Sequence, residues 1–308
     1  MLPFAPAIAV RRLLPAELEA ACVLLNRQLA AAFYSRPMEV EEAHEQLLSE
    51  APPSLWPVQW QQHAVFLAVR AGELVGLLDV AVGSATLELP SAQPFGLLRF
   101  WVLPEERTLV DPVAVALLAA AGEFWRQHRV GVIKAYSAST GYPQWQGGMG
   151  LLPDDWAAQT RLLLADGFEF VDRRYAFVYR VQETLFEESV PQAGLSLSFR
   201  GDLRDRRYEI FFRRTERVAT ARVVQFVPAA RAPRVAHLWE WEVETQWQNQ
   251  NLGRWLLRRI LNDTAQQALE QVLVFVRMQQ VAAINLLGQH GFVEQPYRGY
   301  SLQKTMRE

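Results

Sequence analysis

The 308-residue chain carries one pattern twice, and this repeat limits its possible folds more than any single motif does. In each half, strand-like runs lead to a strand that ends in a valine. A turn, a long helix, another strand, a short helix and a Gly-Phe pair follow. The markers are Val102 and Gly167-Phe168 in the first half, Val243 and Gly291-Phe292 in the second. The Gly-Phe pair comes 65 residues after the valine in the first half and 48 after it in the second. A glycine-, proline- and tryptophan-rich stretch at 137–155 accounts for the difference. An internal duplication with one insertion is the economical reading, and the length suits two domains.

Local patterns place the elements. Residues 10–29 read as a strand end and a helix with Pro15 in its first turn, and 39–49 as a second helix. Residues 64–70 and 74–82 read as a hairpin turning at Gly72, and 96–103 as a strand. A helix over 112–127, a strand over 130–136, a helix over 156–165 and a strand pair ending near 181 complete the first half. The polar run LFEESVPQAG reads as a linker. The expected domains are therefore 1–184 and 195–308, joined by 185–194. In the second half, strands are expected at 195–199, 208–213, 218–227 and 234–244. A helix reaching about 269, a strand at 272–276, a helix at 281–290 and a final strand follow.

Bulk properties exclude several classes. A net charge of −2 argues against a broad nucleic-acid binder. One cysteine, Cys22, rules out an internal disulfide and thiolate zinc clusters. The five histidines show no HxxH or HExxH spacing, so no metal is expected. The start MLPFAPAIAVRR has its charges after its apolar part, unlike a secretion signal. No run approaches ~18 uninterrupted apolar residues, so a cytoplasmic protein without membrane or nucleic-acid partners is expected. Among the basic residues only Lys134 and Lys304 are lysine.

The stretch QNQNLGRWLLRRI, residues 248–260, is the candidate for chemistry. A helix start exposes up to four unpaired N–H groups and a partial positive charge, which a tight turn can aim at one phosphate. Asn251 tolerates positive φ better than most residues, and Gly253 tolerates any close approach. Gln248 adds a donor, and Arg254 and Arg258 add charge. A plain strand-to-helix connection capped by Asn251 is the alternative.

These residues resemble the GNAT superfamily of N-acetyltransferases. The pyrophosphate-loop pattern stands as Val243-ETQW-Gln248-NQ-Asn251-L-Gly253, and the later family segment as Gln280-VA-Ala283-IN-Leu286-Leu287-GQH-Gly291-Phe292. The resemblance covers the second half and, more faintly, the first. It implies two tandem GNAT-like α/β domains, each a mixed, mostly antiparallel sheet flanked by helices on both faces. It also implies acetyl-CoA as cofactor, held by Trp241, Val243, Gln248, Asn249, Gln250, Asn251, Leu252, Gly253, Arg254 and Gln280. Departures are Asn251 for a glycine, Gln280 for an asparagine, and Leu287 for the tyrosine that is the usual general acid. Tyr297, Tyr300 or water would then serve as the acid, or the thiolate would leave unaided. The matching first-half turn runs Val102-LPEE-Arg107-TL-Val110-D-Pro112. It sets a β-branched residue where positive φ is wanted and a proline at the helix start. The first half therefore reads as a degenerate copy.

Amine acetylation also needs a base. Alternation along RVAHLWEWEVE puts His237, Trp239, Trp241 and Val243 on one face and Leu238, Glu240, Glu242 and Glu244 on the other. The family often carries its base on this strand, which makes His237 and Glu240 the candidates; a core histidine and a solvated glutamate face are the structural alternatives. Trp145 is expected to be exposed and to cover a substrate, or to touch another domain. Arg213-Arg214 reads as a solvated strand end, with a contact to the 3′-phosphate of CoA as the weaker option. The expected function is acetyl transfer to a primary amine of a small molecule, in a protein open to homodimerisation. A non-catalytic acyl-CoA-binding scaffold and a ligand-free dimerising protein are the rivals.

Overall fold

A computed structural model describes residues 7–85, 93–227 and 233–306. Residues 1–6, part of the start read as lacking a leader, lie outside the described residues. The chain forms two compact units: 1–173 with 299–308, and 174–298. The expected linker, 185–194, lies inside the second unit rather than at its edge.

The first unit contains β1 (Ile8–Arg12), α1 (Leu18–Ala30), α2 (Val40–Leu47), β2 (Val58–Arg70), β3 (Glu73–Ala85), β4 (Phe95–Val102) and α3 (Arg107–Gln127). It continues with β5 (Val132–Ala135), β6 (Leu152–Pro153), α4 (Ala157–Ala165) and the start of β7 (Glu169–Arg180). Strands β1 to β4 pair antiparallel in chain order. β5 is parallel to β4 through three pairs only, Gly96↔Ile133 to Leu98↔Ala135. The other side of β5 takes the end of the last strand of the chain, β13 (Val293–Thr305), with Leu302 opposite Ala135. α3 is long and apolar enough to cross a membrane by length and composition, but here it is a core helix. Its Val113, Leu117, Ala121 and Phe124 are buried, and a methyl on Gly76 of β3 would lie 2.7 Å from Val113.

The first-half turn departs from expectation. α3 begins at Arg107, five residues early, so Val110 is helical and Pro112 sits inside the helix. Val110 therefore carries no positive φ. The first-half stretch that matches the 248–253 turn is therefore helical, and Pro112 lacks an N–H of its own.

The insertion at 137–155 is buried, Trp145 included, so it does not form an exposed cover. Trp145 stacks on Trp156, with centroids 5.7 Å apart. Both touch Phe100 of β4 and Tyr136 at the end of β5. The rings thus occupy the space that opens where β4 leaves β5. A buried polar cluster fastens the insertion. Tyr142 donates to Asp79 Oδ2 (2.7 Å), and Arg99 contacts the same oxygen (3.2 Å) and the Thr140 carbonyl. His63 bridges Asp79 Oδ1 (2.8 Å) and the Ser49 carbonyl (2.7 Å). Burial opposes the Asp79 charge, yet Arg99 and His63 hold its carboxyl below the ordinary value.

The second unit takes the rest of β7 and then β8 (Leu195–Gly201), β9 (Asp205–Phe212), β10 (Glu216–Phe226) and β11 (Val235–Val243). α5 (Leu252–Gln266), β12 (Gln271–Arg277), α6 (Val281–Gln289) and the start of β13 complete it. β8 to β11 pair antiparallel in order. β12 is parallel to β11 and antiparallel to β7, with Leu273 opposite Val178. Only residues 202–204 separate β8 from β9, so nothing here corresponds to α1 and α2. α5 buries Leu252, Trp255, Leu256, Ile260 and Leu261, an i, i+3, i+4 stripe, against Ala236, Leu238, Val272 and Val274. Leu287 of α6 joins the same cluster, so both helices of this unit cover one face of its sheet.

The unit boundary falls within β7 and within β13. A fragment of residues 1–184 lacks the strand that pairs with β5, and one of 195–308 lacks the strand that pairs with β12. Each exposes an apolar edge. Neither fragment should give a cooperative thermal transition alone, while the two co-expressed should; circular dichroism melting of all three samples checks this. Asp79→Asn should strand the Arg99 charge in the core and lower stability by about 3–5 kcal/mol in urea unfolding. A depressed carboxylate contributes stability above its unfolded-state value and loses it as pH falls through the folded-state value. Wild-type stability from this group should therefore be intact above about pH 4 and decline below it, and Asp79→Asn should lack that decline.

Candidate functional site

In the second unit, β11 and β12 pair through only Val235↔Gln271, Ala236↔Val272 and His237↔Leu273. Beyond His237, β11 pairs with β10 alone and its other edge is open. At the far end of β11 a cavity of ≈ 550 Å³ opens, walled by β11, the 245–251 turn, the head of α5 and α6.

Local chemistry shapes the turn. Asn249 and Asn251 both adopt positive φ, 61° and 62°, which asparagine accepts at low cost. Asn251 is the N-cap of α5, and its carbonyl takes the first helical bond from Trp255 (3.0 Å). Among the described residues, the N–H groups of Asn251, Leu252, Gly253 and Arg254 meet no acceptor. Four free donors at the positive end of a 15-residue helix can attract an anion. Two side chains fix the turn from either side. Gln248 donates to the Val243 carbonyl (3.1 Å), and Trp247 donates to Glu216 (2.9 Å) while packing on Phe212.

Gly253 has ordinary helical geometry. A methyl there would lie 3.6–3.7 Å from Val243, Leu286 and Trp241, in ordinary contact. The protein alone does not demand a glycine at 253; the residue leaves room in the cavity wall. Beside it, the buried Nε1 of Trp241 has no acceptor. Such an orphan donor costs free energy unless a ligand or water completes it.

α6 forms the facing wall through Ala282, Asn285, Leu286 and Gln289, spaced by three or four residues. Arg254 bridges the helices by donating to Gln289 (3.0 Å). Gln280, the N-cap of α6, accepts from the Arg277 N–H (3.0 Å). Below this wall, Arg258 donates to His290 Nε2, and His290 Nδ1 faces the Leu286 carbonyl (2.8 Å). Burial, helped by the Arg258 and Arg254 charges, pushes the His290 imidazole below its ordinary value. Arg258 is engaged there and with the Glu187 carbonyl, not at the turn.

Of the residues expected at the cofactor, Trp241, Val243, Gln248, Asn249, Asn251, Leu252, Gly253, Arg254 and Gln280 line the cavity. Gln250 does not; its amide turns back to the Gln246 carbonyl (3.1 Å). The lining also includes Trp247, Asn285 and Gln289, which the sequence reading did not assign. Their spacing of three or four residues from Ala282 and Leu286 on one helix face is the signal that would have found Asn285 and Gln289.

The two base candidates are not brought to the cavity. A register shift opposite Arg222/Val223 inserts an extra residue at Trp239, which breaks the expected alternation of β11. Leu238, not His237, shares the α5 face with Trp241 and Val243. His237 is fully buried on the other face, edge-on to Phe226 and Phe275. Glu240 stands there too, 3.7 Å from Arg207. Leu287 is fully buried in the α5 core, and Tyr297 packs on Phe275. Tyr300 belongs to the first unit, beside Phe170 and Arg173.

Comparison with known proteins agrees with this anatomy. Residues 175–292 match the model of the acetyltransferase (GNAT) family. No curated protein sequence matches the chain. Among solved structures, a tandem GNAT protein from the clavulanic acid biosynthesis pathway, determined without AcCoA, superposes with a TM-score of 0.65. It is 14% identical, over 97% of this chain and 98% of that one. A GCN5-related N-acetyltransferase from Sphaerobacter thermophilus gives 0.63 at 14% identity, over 98% and 96%. The GCN5-related glucosamine N-acetyltransferase region of a fungal multi-domain GH3 β-N-acetylglucosaminidase gives 0.70 at 11% identity, over 97% of this chain and 38% of that one. The chain therefore has the tandem GNAT fold, and its residues 175–292 match the GNAT acetyltransferase family model.

Proposed function

We propose that the second unit binds acetyl-CoA and that the protein transfers its acetyl group to a primary amine of a small molecule. One observation carries this reading: four free N–H groups at the head of α5 open onto a cavity whose wall is kept low by Gly253. The residues present fit a diphosphate. Asn251, Leu252, Gly253 and Arg254 offer backbone donors, and the Arg254 guanidinium adds charge at the rim. Acetyl-CoA, when bound, supplies an activated thioester. The open edge of β11 beyond His237 offers backbone groups to an amide-bearing arm running from the diphosphate toward the divergence of the strands. The lining holds no carboxylate or imidazole, so no proton carrier stands at the diphosphate end of the site. Leu287 supplies no proton to the thiolate. The rings filling the equivalent space of the first unit support a single acetyl-CoA per chain.

A second reading, a scaffold that binds acyl-CoA without turnover, draws on the same buried Leu287 and on the absence of proton carriers from the lining. Calorimetric titration with acetyl-CoA should give saturable heat at a stoichiometry near one; no heat at high concentration removes both readings. Thiol release over a panel of small amines then separates them. Release with at least one amine supports transfer, and tight binding without release supports the scaffold.

Gly253→Ala gives a sharper check. Alanine in a helix is favoured over glycine by roughly 0.5–1 kcal/mol, and the methyl meets no clash, so the apo protein should gain stability. The same methyl narrows the diphosphate wall, so acetyl-CoA affinity should fall about tenfold or more, a loss of ~1.4 kcal/mol. Unchanged affinity in the stabilised variant would contradict the proposed seat.

A further inference from the structure

The chain has two lysines, and their surroundings differ. Lys304 is paired: its Nζ lies 2.8 Å from Asp166 Oδ2 and over the Phe168 ring. Lys134 lies in β5 opposite Leu97 of β4 and Gln303 of β13. Its Nζ sits 4.2 Å from the centroid of Phe95. Leu97 and Phe95 belong to a small apolar cluster with Val58, Ala81 and Trp60, separate from the main core of the unit. Among the described residues Lys134 has no carboxylate and no hydrogen-bond partner, yet it is only partly exposed. A half-buried ammonium on an apolar cluster without a counter-ion is uncomfortable in its charged form.

We propose that Lys134 is a site of covalent acylation whose amine takes an acyl group from a small acyl thioester. The reacting form is the neutral amine. Its lone pair attacks the thioester carbonyl, a C–N bond forms, the C–S bond breaks, and the thiol sulfur leaves as thiolate. The nitrogen releases its extra proton to solvent, and nothing is oxidised or reduced. Burial pushes the Lys134 amine below its ordinary value, which enlarges the neutral fraction. The Phe95 face, which favours the cation, offsets part of that effect. The product is a neutral amide, better suited to the cluster of Trp60, Phe95 and Leu97 than a bare charge. Lys304 lacks this incentive, because Asp166 stabilises its ammonium. The inference does not depend on a diphosphate seat in the second unit, since any small thioester serves.

The test uses the full chain and the acetyl thioester of N-acetylcysteamine, which carries no nucleotide and so bypasses the cavity at α5. Site-resolved mass spectrometry at mildly alkaline pH should show Lys134 modified about tenfold faster than Lys304. In concentrated urea the two rates should converge, because the preference comes from the folded surroundings. Lys134→Arg should abolish the fast phase and leave labelling at Lys304 unchanged. Equal rates in the native protein, faster labelling of Lys304, or a preference that survives unfolding would each overturn the proposal.

Discussion

The structure of the second unit turns on how briefly two strands agree. β11 and β12 run parallel through three residue pairs and then part. Parallel pairing is slanted and slightly weaker per residue than antiparallel pairing, so a short ladder ends at low cost. Each strand is held on its other side by a long antiparallel ladder, β11 by β10 and β12 by β7. The parted edge of β11 therefore stays extended without a neighbour, and the turn after it delivers the head of α5 beside the opening. The bulge at Trp239 belongs to the same device. It rotates Trp241 and Val243 onto the face where α5 packs, and so brings the indole to the cavity. Without the bulge, Trp241 would stand on the side of His237.

The first unit shows what happens when the same opening is filled. β4 and β5 also pair through three residues, but Trp145 and Trp156 stack between Phe100 and Tyr136. Large rings in edge-to-face contact provide dispersion and apolar burial that a solvated cleft lacks. Holding them required a buried charge cluster at Asp79, which is tolerable only because Arg99, His63 and Tyr142 together satisfy it. The early start of α3 fits the same change. A helix that absorbs the turn moves its free N–H groups away from the place where a matching ligand turn would set them. Ligand binding and self-packing are thus alternative solutions for one gap between diverging strands.

Much of this was legible in the sequence because it rests on local preferences. The order of strands and helices follows from periodicity, and the turn at Asn251 follows from the few residues that accept positive φ. Nine of the ten residues that the family resemblance implied for the cofactor stand around one cavity. What failed were readings that depend on the partner of a strand. The faces of β11 were assigned by strict alternation, and a bulge is set by pairing with β10, which the local sequence does not announce. Trp145 looked exposed because glycine and proline surround it. Its burial comes in part from Phe100, far away in sequence on β4. The domain boundary failed similarly: a polar linker marks a flexible join, but hydrogen bonds decide which unit owns β7 and β13.

That last point bears on how a duplicated fold can specialise. Each unit contains the strand that ends the other half's sequence, so neither half keeps a complete sheet for itself. Edge protection for β5 and β12 is supplied from a distance in sequence, and a change that unfolds one half removes a strand from the other. Under that constraint neither half can be discarded without taking a strand from the other. The first half of the sequence must still supply β7 to β12, and the second must supply β13 to β5, so each sheet is completed from a distance in sequence.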